Sequence, residues 1–170
     1  LVLRYRTFMD VPSEHVRVYL SMAFGSPYSG VPSEKTMRSC LRDAKMFGDT
    51  VVFADTVGAG TIAEVKRFAE MAEEEGLTPA LHLHHKGDES RPLSLIRAGL
   101  FAGIKQFDAS IGGLGGCPFA QGSGANLSTR TLVRHLHAWG FKTGVDVGLL
   151  REAETFARSI SRPADAPLFC

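Results

Sequence analysis

An α/β chain built on parallel strands is the fold class this sequence predicts, and three observations predict it. Apolar runs rich in β-branched and aromatic residues recur at 16–23, 50–54, 79–83 and 104–109, each closed by a polar residue or glycine. Helical stretches with their own start and stop signals lie between them, and that alternation calls for right-handed crossovers between parallel strands. Runs as continuously apolar as TVVFA, just ahead of Asp55, belong to a sheet covered on both faces, in a doubly wound sheet or a barrel. Distinctive polar residues gather at the C-terminal ends of successive strands, where a (β/α)8 barrel builds its site, and this favours the barrel. A closed barrel takes about 250 residues and eight βα units; the four units here make about half of one, a partial TIM barrel in a single domain spanning residues 1–170.

Each element has a local reason. Ser33 is placed to cap a helix reaching about Phe47, with Gly48 as a left-handed stop. Thr61 and Glu64 have the spacing of a capping box, and Gly76 ends that helix after Glu73, Glu74 and Glu75, which read as a solvated face because acid at a helix C-terminus opposes the dipole. A third helix is expected over 92–102, with Pro92 early enough that its missing N–H does no harm. A fourth runs over 128–139 and stops at Gly140, its Leu132, Val133, Leu136 and Trp139 repeating at helical spacing toward a core. A fifth covers 147–161.

Composition excludes several functions. The 170 residues are 44% hydrophobic and 22% charged, with 19 Lys and Arg against 18 Asp and Glu, so no basic footprint for nucleic acid exists. No apolar run approaches the ~20 residues of a membrane helix. Cys40, Cys117 and Cys170 form neither a disulfide framework nor a zinc knuckle, which points to a reducing compartment: the cytoplasm, or an organellar matrix were a leader to precede Leu1. A start at Leu1, with no Met and no signal-like segment, reads as the interior of something longer.

The residues that carry chemistry sit at strand ends. His82 and His84 are two apart on the third strand and face the same way, which suits either one bound cation or a neutral hydrogen-bonded pair. His85 turns to the opposite side or begins the loop. After the fourth strand, IGGLGGCPFAQGSGAN surrounds Cys117 with glycines that let the backbone approach a ligand closely, or equally mark an uninvolved turn. A thiol on such a loop is accessible, whereas Cys40, in a helical pattern, reads as a small core hydrophobe. Asp55, at the end of an apolar strand, must be paired, protonated or metal-bound. Asp108 holds the corresponding place on the fourth strand and reads as a supporting residue. Asn126 has an obvious role as a helix cap.

Taken together, VRVYLS with GSPYSG, then ADTVGAGT, then HLH, and finally GLGGCPFAQGSGANL resemble, in order, the 3-hydroxy-3-methylglutaryl-CoA lyases, a metal-dependent branch of the barrel lyases and acyltransferases. The resemblance covers most of the chain and corresponds to barrel strands five to eight, about the last four βα units. It implies a divalent cation, Mg²⁺ or Mn²⁺, held by His82, His84 and Asn126, with a further aspartate from the barrel's first strand. It implies an acyl-CoA thioester substrate cleaved between C2 and C3 to acetyl-CoA and a keto acid. Asp55 then becomes an active-site acid in proton transfer, and Cys117 the thiol that protonates the departing enolate.

The sequence departs from the family's pattern at His85, where an Asp is usual, at Arg130, where an acid is common, and at Ser26, where Cys is frequent. The family's first-strand Arg and Asp have no counterpart, and a half-barrel has two open sheet edges, which a homo-oligomer or another segment would cover. Two other functions stay open at this point: a superfamily aldolase or acyltransferase with a different substrate, and a non-catalytic half-barrel that binds a partner through its edges.

Overall fold

A computed structural model describes residues 16–117 and 124–161. Cys170 and loop residues 118–123 lie outside them. Four parallel strands run in spatial order of sequence: β1 (Arg17–Leu20), β2 (Thr50–Asp55), β3 (Thr78–His85) and β4 (Gln106–Asp108). Between them lie α1 (Glu34–Lys45), α2 (Ile62–Glu74) and α3 (Ser90–Phe101). A short 3₁₀ turn (Ile111–Gly113) and a two-residue strand, β5 (Ala125–Asn126), precede α4 (Thr129–Ala138) and α5 (Val147–Ile160). The predicted half-barrel sheet of parallel strands is therefore present.

Register divides the sheet into two faces. Phe53 stands beside Leu81, and Leu81 beside Phe107, so these residues share the face that the helices cover. Val51, Phe53, Leu81 and Leu83 join Leu41, Val65, Phe68 and Ile96 in one core. Phe68 of α2 is its hinge: its ring centroid lies 5.3 Å from that of Phe53 and 5.2 Å from that of Phe24. On the other, concave face Tyr19 stands beside Val52, Ala54 beside His82, and His82 beside Asp108.

Helix signals behaved as their chemistry dictates. Ser33 Oγ accepts from Thr36 N–H at 3.2 Å, and the Thr61–Glu64 capping box is complete, with bonds of 2.8 and 3.3 Å. Glu74 and Glu75 are not merely solvated: Arg38 and Arg42 of α1 reach them at 2.8 and 3.6 Å, which relieves acid at the α2 C-terminus. Gly48 is a correction. It is not in the left-handed region; α1 closes at Met46 with φ −69, and Gly48 is required instead because a Cβ there would stand 2.3 Å from the Val16 carbonyl oxygen.

Three strand boundaries shift for identifiable reasons. β1 ends at Leu20 because Met22 turns with φ 55, after which Ala23 and Phe24 enter the core. β4 is short because it pairs only with residues 80–82 of β3. β3 runs on to His85 because β5 adds to its end antiparallel, His84 opposite Asn126 and His85 opposite Ala125. Two residues carry no periodicity, so β5 is invisible in the sequence.

Truncation of the central ring tests this packing. Phe53→Ala removes a fully buried side chain, and chemical denaturation is expected to show a loss of about 3–5 kcal/mol; a loss under about 1 kcal/mol would mean that the helices do not pack on this face.

Candidate active site

The alternation of β3 sends Leu81 and Leu83 into the helix-covered core and leaves His82 and His84 together on the concave face. Their Nε2 atoms lie 3.1 Å apart. The His84 Nδ1 stands 3.2 Å from the Gly124 carbonyl, which can only accept; Nδ1 therefore carries the proton and Nε2 the lone pair. His82 Nε2–H then donates to His84 Nε2, and His82 Nδ1 is left buried with no hydrogen-bond partner. Burial holds both imidazoles below their ordinary pKa of 6.5; for His82 the neighbouring His84 adds to the effect and Asp108 opposes it, and for His84 the Gly124 carbonyl and Asp55 oppose it.

Asn126 joins them through β5. Opposed residues of an antiparallel pair project on one side, so Asn126 shares the face of His84. Its Nδ2 donates to the Leu114 carbonyl at 2.8 Å, which turns Oδ1 the other way, buried and without a hydrogen-bond partner. It is not the helix cap: Ser128 is, its Oγ 3.5 Å from Thr131 N. The glycine-rich turn is moulded on this residue. A Cβ at Gly115 would stand 3.1 Å from Asn126 Nδ2, one at Gly113 3.0 Å from the Asn126 carbonyl, and one at Gly124 1.6 Å from the His85 carbonyl. Cys117 follows two residues after Gly115 and is half-buried.

Asp55 is 2% exposed and both its oxygens are engaged, Oδ1 with Ala59 N–H at 2.7 Å and Oδ2 with Gly60 N–H at 2.9 Å. It anchors the loop into α2 while its charge acts on His84. Asp108 does more than support a glycine turn: it receives Arg17 Nη1 at 2.9 Å and Tyr19 Oη–H at 2.6 Å across the concavity. Burial and that carboxylate push the Tyr19 hydroxyl pKa up. A cavity of about 920 Å³ opens beside β4, lined by Tyr19, His82 and Asp108 of the concave face, by Phe107 of the helix side, and by Leu132 and Val133 of α4. Arg130 faces elsewhere, its Nε 2.6 Å from Glu154 of α5 but not aligned for a hydrogen bond.

The donor set suits a divalent cation. Two neutral imidazoles and one amide share a face, and Asn126 Oδ1 is buried there without a hydrogen-bond partner; His82 Nδ1 is also orphaned but lies on the far side of its ring from the Nε2 that meets His84. For both Nε2 atoms to bind one ion, the His82 proton must shift to Nδ1. No group of three His, Cys, Asp or Glu side chains among the described residues forms an alternative site.

No protein-family model matches the sequence. Curated relatives do. The cytoplasmic 3-hydroxy-3-methylglutaryl-CoA lyase of Mus musculus is 35% identical over 149 residues, 87% of this chain and 43% of that protein. The hydroxymethylglutaryl-CoA lyase of Pseudomonas mevalonii is 32% identical over 136 residues, 79% of this chain and 45% of that protein. Of solved structures, the HMG-CoA lyase from Brucella melitensis superposes with a TM-score of 0.75 at 35% identity, over 85% of this chain and 51% of that one. The hydroxymethylglutaryl-CoA lyase from Pseudomonas aeruginosa gives 0.77 at 30% identity, over 95% and 53%. The chain is homologous to the 3-hydroxy-3-methylglutaryl-CoA lyases. It spans about half the length of the curated lyases it matches.

Arg17, Tyr19, Glu89 and Arg91, which hydrogen-bond around this face, were not singled out from the sequence. Only the i, i+2 spacing of Arg17 and Tyr19 on β1 could have signalled a polar concave face.

The depressed imidazoles give a pH expectation. The unfolded chain takes up protons near pH 6.5 and the folded one only below it, so stability is full above that value and is lost as pH falls through the folded pKa values. NMR titration of the His82 and His84 ring protons should give midpoints below 6.5; midpoints at or above it would contradict the described burial.

Proposed function

We propose that this chain carries the cation-binding and thiol-bearing half of a carbon–carbon lyase site that cleaves a 3-hydroxyacyl-CoA, 3-hydroxy-3-methylglutaryl-CoA in the first instance, to acetyl-CoA and a keto acid. The observation that supports the reading is that strand register puts His82, His84 and Asn126 on one face, with the two Nε2 atoms 3.1 Å apart and Asn126 Oδ1 buried without a hydrogen-bond partner. In this reading Mg²⁺ or Mn²⁺, bound there, supplies Lewis-acid polarisation of the substrate's oxygens.

The chain's own residues do the rest. The Gly124 carbonyl holds His84 in the tautomer whose Nε2 is free to bind, and the burial of both imidazoles keeps them neutral at pH 7. Asp55, beside Leu83 in register and so not on the histidine face, takes the proton of the 3-hydroxyl through solvent, and its amide bonds to Ala59 and Gly60 loosen as it accepts that proton. The C2–C3 electron pair then stays on C2 as the acetyl-CoA enolate, the C3 oxygen becomes the keto group, and the Cys117 thiol delivers its proton to C2. Gly116, the residue before that thiol, lies close to the Gly124 carbonyl, where a Cβ would stand 3.3 Å away, which supports a place for the thiol beside the Asn126 segment.

Activity is expected where the open edges of β1 and β4 are covered. The chain alone, and the chain joined to the first four βα units of a curated relative, would be assayed for acetyl-CoA release from 3-hydroxy-3-methylglutaryl-CoA with Mg²⁺. Release by the joined protein, reduced about 10²–10⁴-fold by Cys117→Ala, is the expected result; a joined, folded protein that releases none defeats the lyase reading. The substrate panel includes larger C3 substituents, because a Pseudomonas aeruginosa relative, 31% identical over 154 residues, is named a 3-hydroxy-3-isohexenylglutaryl-CoA/hydroxymethylglutaryl-CoA lyase.

A further inference from the structure

The pairing that brings Asn126 beside His84 is only two residues long. A seam so short does not hold its own register, and a slip of one residue would turn Asn126 to the helix side. Something else must pin the segment. Part of the answer is backbone: Leu127 N–H donates to the Leu83 carbonyl, and Ser110 N–H to the Leu127 carbonyl, both at 3.0 Å.

The other part is one side chain. Glu89, at the start of α3, reaches across to the first turn of α4. One carboxylate oxygen accepts from Ser128 N–H at 2.9 Å, and the other from Thr131 Oγ1–H at 2.6 Å. These contacts join residues 39 and 42 positions apart. The helix's own cap is weak here, since Ser128 Oγ is 3.5 Å from Thr131 N. A carboxylate at the positive end of the helix supplies what that cap lacks. His85 Nδ1 accepts from Gly87 N–H, so its Nε2 carries the proton and faces Glu89 at 3.8 Å. Two residues on, Arg91 donates to the carbonyls of Gly58 and Gly60, the loop whose amides hold Asp55. The start of α3 thus grips the loops on both its sides.

We infer that Glu89 is a positioning residue for the cation site: by tying Ser128 and Thr131 to α3 it fixes the register of β5 and keeps Asn126 on the face of His82 and His84. The inference rests on the reading of Asn126 as a ligand. Glu89 touches no reacting atom; it acts through the backbone two residues from Asn126.

The test uses the 170-residue chain and two readouts: Mn²⁺ affinity, followed by loss of the free-ion electron paramagnetic resonance signal, and amide hydrogen exchange over residues 125–131 in the metal-free protein. Glu89→Ala should weaken Mn²⁺ binding about 10–100-fold, as loss of an outer partner of a ligand does, and should speed exchange at Ser128. Glu89→Gln, which keeps one acceptor oxygen, should lose less. Ile96→Ala, a core truncation in α3 away from the cavity, should lower the melting temperature and leave the affinity unchanged. Wild-type affinity and exchange in Glu89→Ala would overturn the inference, as would an equal loss of affinity in Ile96→Ala, which would reduce Glu89 to a stability residue. Should Glu89→Ala not fold, Glu89→Gln and Thr131→Val carry the same comparison. Failure of the wild-type chain to bind Mn²⁺ would sink the ligand reading, and the exchange rates would then decide the role of Glu89 alone.

Discussion

Everything functional in this chain depends on how the two-residue repeat of β3 meets the antiparallel seam with β5. Alternation along β3 commits its leucines to the helices and its histidines to the concavity. The seam then adds an amide from a segment 40 residues downstream. Neither half suffices by itself. Two imidazoles alone would settle as a neutral hydrogen-bonded pair, the state that their 3.1 Å contact describes. The amide oxygen, buried and unpartnered beside them, is what makes the pair costly without a further ligand.

The price of holding that arrangement is written in backbone. Gly113, Gly115 and Gly124 stand where a Cβ would press on Asn126 or on the carbonyl of His85, so the backbone at these positions leaves no room for a side chain. On the opposite flank Asp55 spends both oxygens on the loop into α2, and the Arg17–Asp108–Tyr19 contacts span the concavity from β1 to β4. Among the described residues, His82 Nδ1 and Asn126 Oδ1 are the buried side-chain atoms of this face left without a hydrogen-bond partner.

Much of this was legible in the sequence because it is local. Strand alternation placed His82 and His84 together, capping chemistry located α1 and α2, and the order of four motifs carried the family resemblance that the curated and solved lyases bear out. What was illegible is long-range. β5 has no period to read, and Asn126 looked like a helix cap because nothing local distinguishes it from Ser128, which does the capping. Gly48 read as a helix stop because a glycine demanded by close approach to Val16 looks the same in sequence as one demanded by a positive φ. Glu89 was invisible since its partners lie across the fold. The departures at His85 and Arg130 acquire partners only in three dimensions, Glu89 for the one and Glu154 for the other.

The central claim is that His82, His84 and Asn126 share one cation. Electron spin-echo spectroscopy of the Mn²⁺-loaded chain reads it directly, because directly bound imidazole nitrogens modulate the echo. The account predicts coupling from two such nitrogens, falling to one in His82→Ala. A manganese signal free of imidazole coupling, in a chain that binds the ion, would contradict it.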